Sequence, residues 1–365
     1  MRIGIDCRLS GSAHAGIGRY IDNLIKRLPV SHPEITWVYF VANSSQATAV
    51  EHFRNVEIIL TPIAHYSLSE QLRLPRMLAQ AKLDLLHVPH FNVPMLYRGK
   101  VVVTIHDLLW HEYKGSHVTT LSPLKYWLKY AFYKLVVGQA VKKATVIYVP
   151  AETVKKTVLK YYPKAKTKIM VTKEGIDEAF AHKSLTRLQT PSKNLVYVGS
   201  LYPHKNLQLV IKALPQLPDY TLILIGARNI FQDNIRKTIT KEGVEQQVVF
   251  KGYVPDHELE TIFSNTQALV QPSLSEGFGL TGIEAMAMGV PVLASNIPIF
   301  QEIYQDGAIF FDPHSVASFV KAVSKLEQPE AARVVAKGRK VALRYSWDSM
   351  VIQTVTGYQQ VIPFS

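Results

Sequence analysis

Short, wholly apolar runs alternate with amphipathic stretches along the chain, and this rhythm restricts the fold more than any other feature. It begins with RIGID (2 to 6), a helical pattern at 17 to 28, TWVYFVA (36 to 42), VEIILTP (56 to 62), LDLLHVP (83 to 89) and VVVTIHD (101 to 107). A long helix from about 123 to 143 and TVIYVP (145 to 150) follow. The pattern restarts at NLVYVGSL (194 to 201) and runs through a helix at 206 to 214, YTLILIGA (220 to 227), a helix to about 242 and VVFKGYV (248 to 254). Helix 256 to 265, ALVQPS (268 to 273), helix 281 to 288 and PVLAS (291 to 295) complete it. Apolar runs this short, with helices between them, are strands buried on both faces of a parallel sheet. A chain of 365 residues exceeds one ordinary core. The expectation is an α/β protein of two Rossmann-like, doubly wound domains. Their boundary falls near 173 to 193, where periodicity lapses and ends in a Pro-Ser turn. That gives a first domain at 1–173 and a second at 174–345.

Charge divides with the domains. Residues 1–173 carry 24 Lys and Arg against 10 Asp and Glu, and residues 174–365 carry 17 against 18. A basic first half suits an anionic partner: nucleic acid, an anionic membrane face or a phosphorylated acceptor. Ordinary solvated lysine faces are the alternative. Part of the excess lies in the 123–143 helix, where Leu124, Trp127, Leu128, Ala131 and Leu135 recur at helical spacing among Lys125, Lys129 and Lys134. Such a helix is either a core helix with a solvated lysine face or an interfacial surface for anionic lipid. No run approaches the roughly 20 apolar residues of a membrane span. The single cysteine, Cys7, forms no internal disulfide, and the opening MRIGID lacks the apolar run of a secretory signal. A cytoplasmic protein is expected, peripheral on the inner membrane face.

Chemistry concentrates at the expected strand ends. In SEGFGLTGIEAMAMGVPV (275 to 292), Glu276 and Glu284 lie eight positions apart around Gly277, Phe278 and Gly279. Thr281 and Glu284 match a capping box, the local explanation for Glu284. Glu276 precedes the helix and has no such explanation. Glycines before a helix let backbone amides approach an anion, and carboxylates accept hydrogen bonds from sugar hydroxyls. Two diol-binding carboxylates around a phosphate site describe a nucleotide sugar. Lys205, in GSLYPHKN, supplies a cation for a diphosphate or is a solvated lysine at a helix start. Gly16, Ile17 and Gly18 follow the first strand ahead of a helix, with Cys7 and Arg8 near the same crevice. His106 ends the most apolar strand and is either a substrate contact or a satisfied strand-end histidine. The chain has no Asp-x-Asp and no histidine pair spaced with a carboxylate as metal ligands, so no metal ion and no cofactor is expected.

EGFGLTGIE resembles the E-x7-E signature of the retaining glycosyltransferases of family 4, which have the GT-B fold. AGIGRY (15 to 20), EQLRLPRML (70 to 78), DLLHVPHFNVP (84 to 94), TIHDL (104 to 108), VYVGSLYPHKN (196 to 206), GYVPDHEL (252 to 259) and YSWDSM (345 to 350) follow in family order. Within that family the chain resembles the mannosyl and related transferases of bacterial polysaccharide assembly. The resemblance implies two domains facing an interdomain cleft, the first holding the acceptor and the second the donor, with a terminal helix at 346–365 crossing back to the first. It implies transfer of a hexose, mannose favoured, from a nucleotide diphosphate sugar to a glycan or lipid-linked acceptor. GDP-mannose is the favoured donor and a UDP-sugar the second choice. By the same resemblance, Glu284 takes the ribose and Glu276 the transferred sugar. Amides of Phe278, Gly279 and Leu280 meet the phosphates or the sugar, Lys205 meets the diphosphate, and Tyr253 and Val254 lie near the base. Gly16, Ile17 and Gly18 approach the donor, and His106 contacts the sugar without acting as a base. Ser200 stands where many relatives have arginine and removes one expected phosphate cation. A nucleotide-sugar epimerase of the same fold is one alternative. A basic nucleic-acid-binding protein is another, disfavoured by the neutral second half and the absence of a recognisable binding motif.

Overall fold

The computed structural model describes residues 1–115, 119, 122–177, 180, 192–226 and 231–364. Most of the connection expected at 173–193, and Ala227 at the end of one expected strand, lie outside the described residues. The chain forms two compact units. One comprises 1–112, 121–175 and 347–365, the other 113–120 and 176–346.

The first unit is a seven-stranded parallel sheet of β1 (Arg2–Asp6), β2 (Thr36–Val41), β3 (Val56–Leu60), β4 (Leu85–Val88), β5 (Val101–Thr104), β6 (Val146–Val149) and β7 (Ile169–Val171), in the order β3-β2-β1-β4-β5-β6-β7. Ile3 pairs with Trp37 on one side and Leu85 on the other, so β1 is central. Every residue of β4, β5 and β6 is buried, as wholly apolar runs require when helices cover both faces. The helix Trp347–Val361 packs into this unit. Tyr148 donates to the Thr354 carbonyl at 2.7 Å, and His87 Nδ1 meets the Tyr358 hydroxyl at 2.6 Å. Gly357 leaves room for the Tyr148 ring, which a Cβ there would strike.

The second unit is a six-stranded parallel sheet of β8 (Asn194–Val198), β9 (Thr221–Ile225), β10 (Val248–Gly252), β11 (Ala268–Gln271), β12 (Val292–Ser295) and β13 (Ile309–Phe311), ordered β10-β9-β8-β11-β12-β13. Tyr197, Leu222, Leu224, Val270, Leu293 and Phe319 belong to its core. Both sheets reverse their order of growth between the first and fourth strands of the unit, β1/β4 and β8/β11. Crevices at the carboxyl ends of strands form at such reversals.

Two sequence expectations change here. Helix Ala15–Ser31 begins two residues before the pattern read at 17 to 28, so Gly16 joins Ile17 and Gly18 in its first turn. Gly18 touches the Gly11 backbone so closely that a Cβ would overlap its carbonyl. Strands β7 and β13, three residues each, extend the sheets beyond the runs read in the sequence.

Candidate active site

The β8/β11 reversal brings Lys205 and Glu276 of the second unit together. Beyond β8, Gly199 adopts φ +152° between the Tyr197 hydroxyl and Gly226, where a side chain would collide. Tyr197 donates to the Ser200 carbonyl at 2.6 Å. A 3-10 turn, Pro203–Lys205, follows and ends at Asn206, a left-handed residue whose Nδ2 donates to the Pro313 carbonyl at 2.8 Å. Beyond β11, the Leu274 amide donates to the His204 carbonyl at 2.7 Å and pins the two loops together.

Lys205 Nζ then donates to Glu276 Oε1 at 2.5 Å, and Ser273 Oγ donates to the same oxygen at 2.9 Å. Glu276 Oε2 takes no hydrogen bond from the described residues. The Lys205 and Glu276 side chains are 18% and 15% exposed, so the pair sits near water without being immersed in it. Burial pushes the Glu276 carboxyl up, but the Lys205 ammonium and the hydrogen bonds outweigh it and hold the group below its ordinary value. The neighbouring His204 ring is pushed down to about 3, by burial first and by Lys205 second. It is therefore a neutral imidazole and adds no second cation in place of the arginine absent at Ser200.

Glu276 leads into a glycine turn. Gly279 has φ +95°, and its carbonyl accepts from the Tyr304 hydroxyl at 2.8 Å. Phe300 stacks on Tyr304, with ring centroids 4.7 Å apart. A Cβ on Gly279 or Gly282 would strike the Tyr304 hydroxyl. Helix Leu280–Ala287 starts from this fixed point, and its first amides lack intrahelical acceptors, so the turn presents partial positive charge. The expected capping box is corrected: Gly279 is the cap residue, Thr281 is already the second helical residue, and no side chain caps the helix. Left-handed Gly279 starts the helix two residues earlier than Thr281 would, so Glu284 lies five positions in and is 2% exposed. Phe278 is buried edge-to-face against Tyr345. Tyr253 and Val254 follow β10, at the far edge of the sheet, and make no hydrogen bond to Lys205 or Glu276; Tyr253 is 60% exposed.

In the first unit the β1/β4 reversal holds different chemistry. Arg8 donates to both Asp6 oxygens at 2.8 and 2.6 Å, to Glu70 Oε1 at 2.9 Å and to the Ile63 carbonyl at 2.9 Å. Burial works against the Asp6 charge, but Arg8 keeps its carboxyl below the ordinary range. The crevice role expected of Cys7 and Arg8 is corrected: both are buried, and the Arg8 guanidinium is occupied inside the unit. His106 is buried with both ring nitrogens engaged, Nδ1 with Glu174 Oε1 at 3.1 Å and Nε2 with the Pro89 carbonyl at 3.2 Å, and with Tyr20 at its edge.

The structure thus joins Lys205 and Glu276, which the sequence reading assigned to separate substrate groups. It adds Ser273, Tyr197 and Tyr304 as their supports. Ser273 was visible as S-x-x-E ahead of Glu276; nothing in the local sequence marked the two tyrosines.

Residues 14–180 match the family described as Glycosyltransferase Family 4, and residues 179–341 match Glycosyl transferases group 1. O-antigen chain mannosyltransferase RfbU of Salmonella typhimurium is 27% identical over 293 residues, 80% of this chain and 78% of its own. O-antigen chain mannosyltransferase B of Escherichia coli is 25% identical over 373 residues, 94% and 96%. Among solved structures, Anabaena HepE in complex with UDP and glucose superimposes with a TM-score of 0.76 at 18% identity, over 99% of this chain and 100% of that one. Such likeness establishes two Rossmann-like domains of the GT-B fold.

Proposed function

The chain belongs to the glycosyltransferases that join a Family 4 domain to a group 1 domain, and from that premise we propose that it moves a hexose, mannose favoured, from a nucleotide diphosphate sugar to a glycan or lipid-linked acceptor with retention at the anomeric carbon. The observation that carries the reading is the Lys205–Glu276 pair beside the glycine-headed helix at the β8/β11 reversal. Lys205 is suited to receive the charge that develops on the departing diphosphate, as are the amides of Phe278, Gly279 and Leu280. Glu276 keeps Oε2 for hydroxyls of the transferred sugar, and the buried Glu284 takes the ribose diol. Ser200 borders the phosphates without supplying charge, and Tyr253 and Val254 flank the base.

The second unit is the donor domain in this reading, and the first unit is the acceptor domain. Gly16, Ile17 and Gly18 contribute helix-start amides, and His106 contributes an oriented ring. Its nitrogens are held by Glu174 and Pro89, so it is not the general base. The acceptor oxygen bonds to the anomeric carbon as the bond to the diphosphate breaks, and the acceptor proton passes to the departing phosphate oxygen. No protein nucleophile and no metal ion are required, because Lys205 and the helix amides take the electrostatic role.

The two O-antigen mannosyltransferases favour mannose, hence GDP-mannose. HepE with UDP and glucose favours a UDP-sugar as the second reading. Relatives that transfer sugars do not favour an epimerase. The basic first half fits a cytoplasmic enzyme working against an anionic membrane face. A thermal-shift screen of GDP, UDP, ADP and their sugars tests the reading, since a ligand of the folded state raises its melting temperature. GDP and GDP-mannose should give the largest rise; no rise with any nucleotide sugar would remove the proposal.

A further inference from the structure

Helix Pro123–Lys143 is apolar on two opposite sides. Its inner side buries Tyr126, Tyr130, Tyr133, Val136, Val137, Ala140 and Val141 in the first unit. Its outer side leaves Leu124 73%, Trp127 51%, Leu128 65% and Leu135 51% exposed. At 3.6 residues per turn these four residues fall within an arc of about 100°, facing away from the buried side. Single exposed leucines are ordinary, but a contiguous stripe on one helix marks a contact surface.

Charge identifies the contact. Exposed Lys125 borders one side of the stripe and exposed Lys134 the other, while Lys129 lies nearer the buried side with its ammonium 5.4 Å from the Trp110 ring centroid, and residues 123–143 contain no Asp or Glu. Lysine stems can lie along apolar surface while their ammonium groups reach outward to phosphate, and an indole ring suits the boundary between headgroups and acyl chains. A second copy of the chain would oppose lysines to lysines. Among the described residues no helix is long and apolar enough to cross a membrane, so this one would lie on a bilayer rather than span it.

We propose that the outer face of Pro123–Lys143 docks on an anionic phospholipid surface, with Leu124, Trp127, Leu128 and Leu135 entering the headgroup boundary and Lys125 and Lys134 pairing with lipid phosphates. The inference gives the peripheral reading above a location, and its test requires no sugar transfer. Failure of the donor reading would appear in the nucleotide screen instead.

The test is flotation of the full chain with phosphatidylcholine vesicles, pure or with roughly one-third phosphatidylglycerol. The anionic vesicles should bind at least about tenfold more tightly, the advantage should shrink as salt rises, and tryptophan emission should shift to the blue. Trp127→Phe should abolish most of that shift. The double variants Leu124→Ser with Leu128→Ser, and Lys125→Glu with Lys134→Glu, should each lower partitioning about tenfold or more at an unchanged melting temperature, because these side chains point away from the core. Absence of binding to anionic vesicles, or wild-type binding by both double variants, would overturn the proposal. So would a dimer in sedimentation velocity that the leucine variant dissociates.

Discussion

At the place where strand order reverses, the first unit seals its charges and the second keeps them near water. Arg8, Asp6 and Glu70 are 0%, 6% and 1% exposed, and the guanidinium makes four hydrogen bonds, to two carboxylates and a carbonyl. Lys205 and Glu276 are 18% and 15% exposed, and both hydrogen bonds on Glu276 fall on one oxygen. The two sheets share the order of their first six strands, so topology supplies the location and the side chains decide its use. A buried cluster of this kind resists exchange of partners, because a charge stripped of its partner inside the protein is costly. A single pair at the edge of solvent can trade its internal partner for a ligand at much lower cost.

The contrast can be broken most severely in the first unit. Arg8→Met should cost about 3–5 kcal/mol of stability, since it leaves Asp6 and Glu70 buried without their cation; urea unfolding checks this, and a loss below 1 kcal/mol would erase the distinction. In the second unit, Lys205→Met should instead leave the fold standing and lower turnover about 100-fold, the scale of losing one stabilising group at a developing charge. Steady-state kinetics beside a melting curve separates the two outcomes.

Acid sharpens the same comparison. Burial pushes His87 and His90 in the first unit down to about 3, and His204 in the second to about 3. Each folds as a neutral imidazole, so below the ordinary value near 6.5 the unfolded chain binds a proton that the folded chain refuses. Stability is therefore full above pH 6.5 and falls as pH drops toward 3, by about 1.4 kcal/mol per pH unit for each fully buried histidine and less for the partly exposed His204. Urea melts at pH 7.5 and 5.5 should show the first unit losing more than the second; equal slopes would count against it. The smallest effect concerns metal. Exhaustive chelation should change the transfer rate by less than about twofold if Lys205 and the helix amides carry the charge.

The sheets were legible because short runs rich in β-branched residues, such as VVVTI, set between amphipathic stretches fit strands buried on both faces. The two short strands escaped notice: Ile169–Val171 is only half-buried, and Ile309–Phe311 is three residues long. The start of helix Leu280–Ala287 was misread because a capping box is a local rule. The Tyr304 hydroxyl, 25 residues away in sequence, fixes Gly279 in the left-handed conformation that decides where the helix begins. Lys205 and Glu276 were each visible as strand-end residues. Their pairing was not, since it depends on β8 lying beside β11 and on the His204–Leu274 bond across 70 positions. Arg8 looked like a crevice residue because its partner Glu70 is distant in the chain.

Glutamate replacements bear on this most directly, with GDP affinity and turnover measured for Glu276→Ala and Glu284→Ala side by side. Glu276→Ala should keep the nucleotide dissociation constant within about threefold while turnover falls about 100-fold, and Glu284→Ala should weaken GDP binding about tenfold or more. Wild-type turnover and wild-type affinity in both variants would contradict a donor site built on the second unit's reversal point.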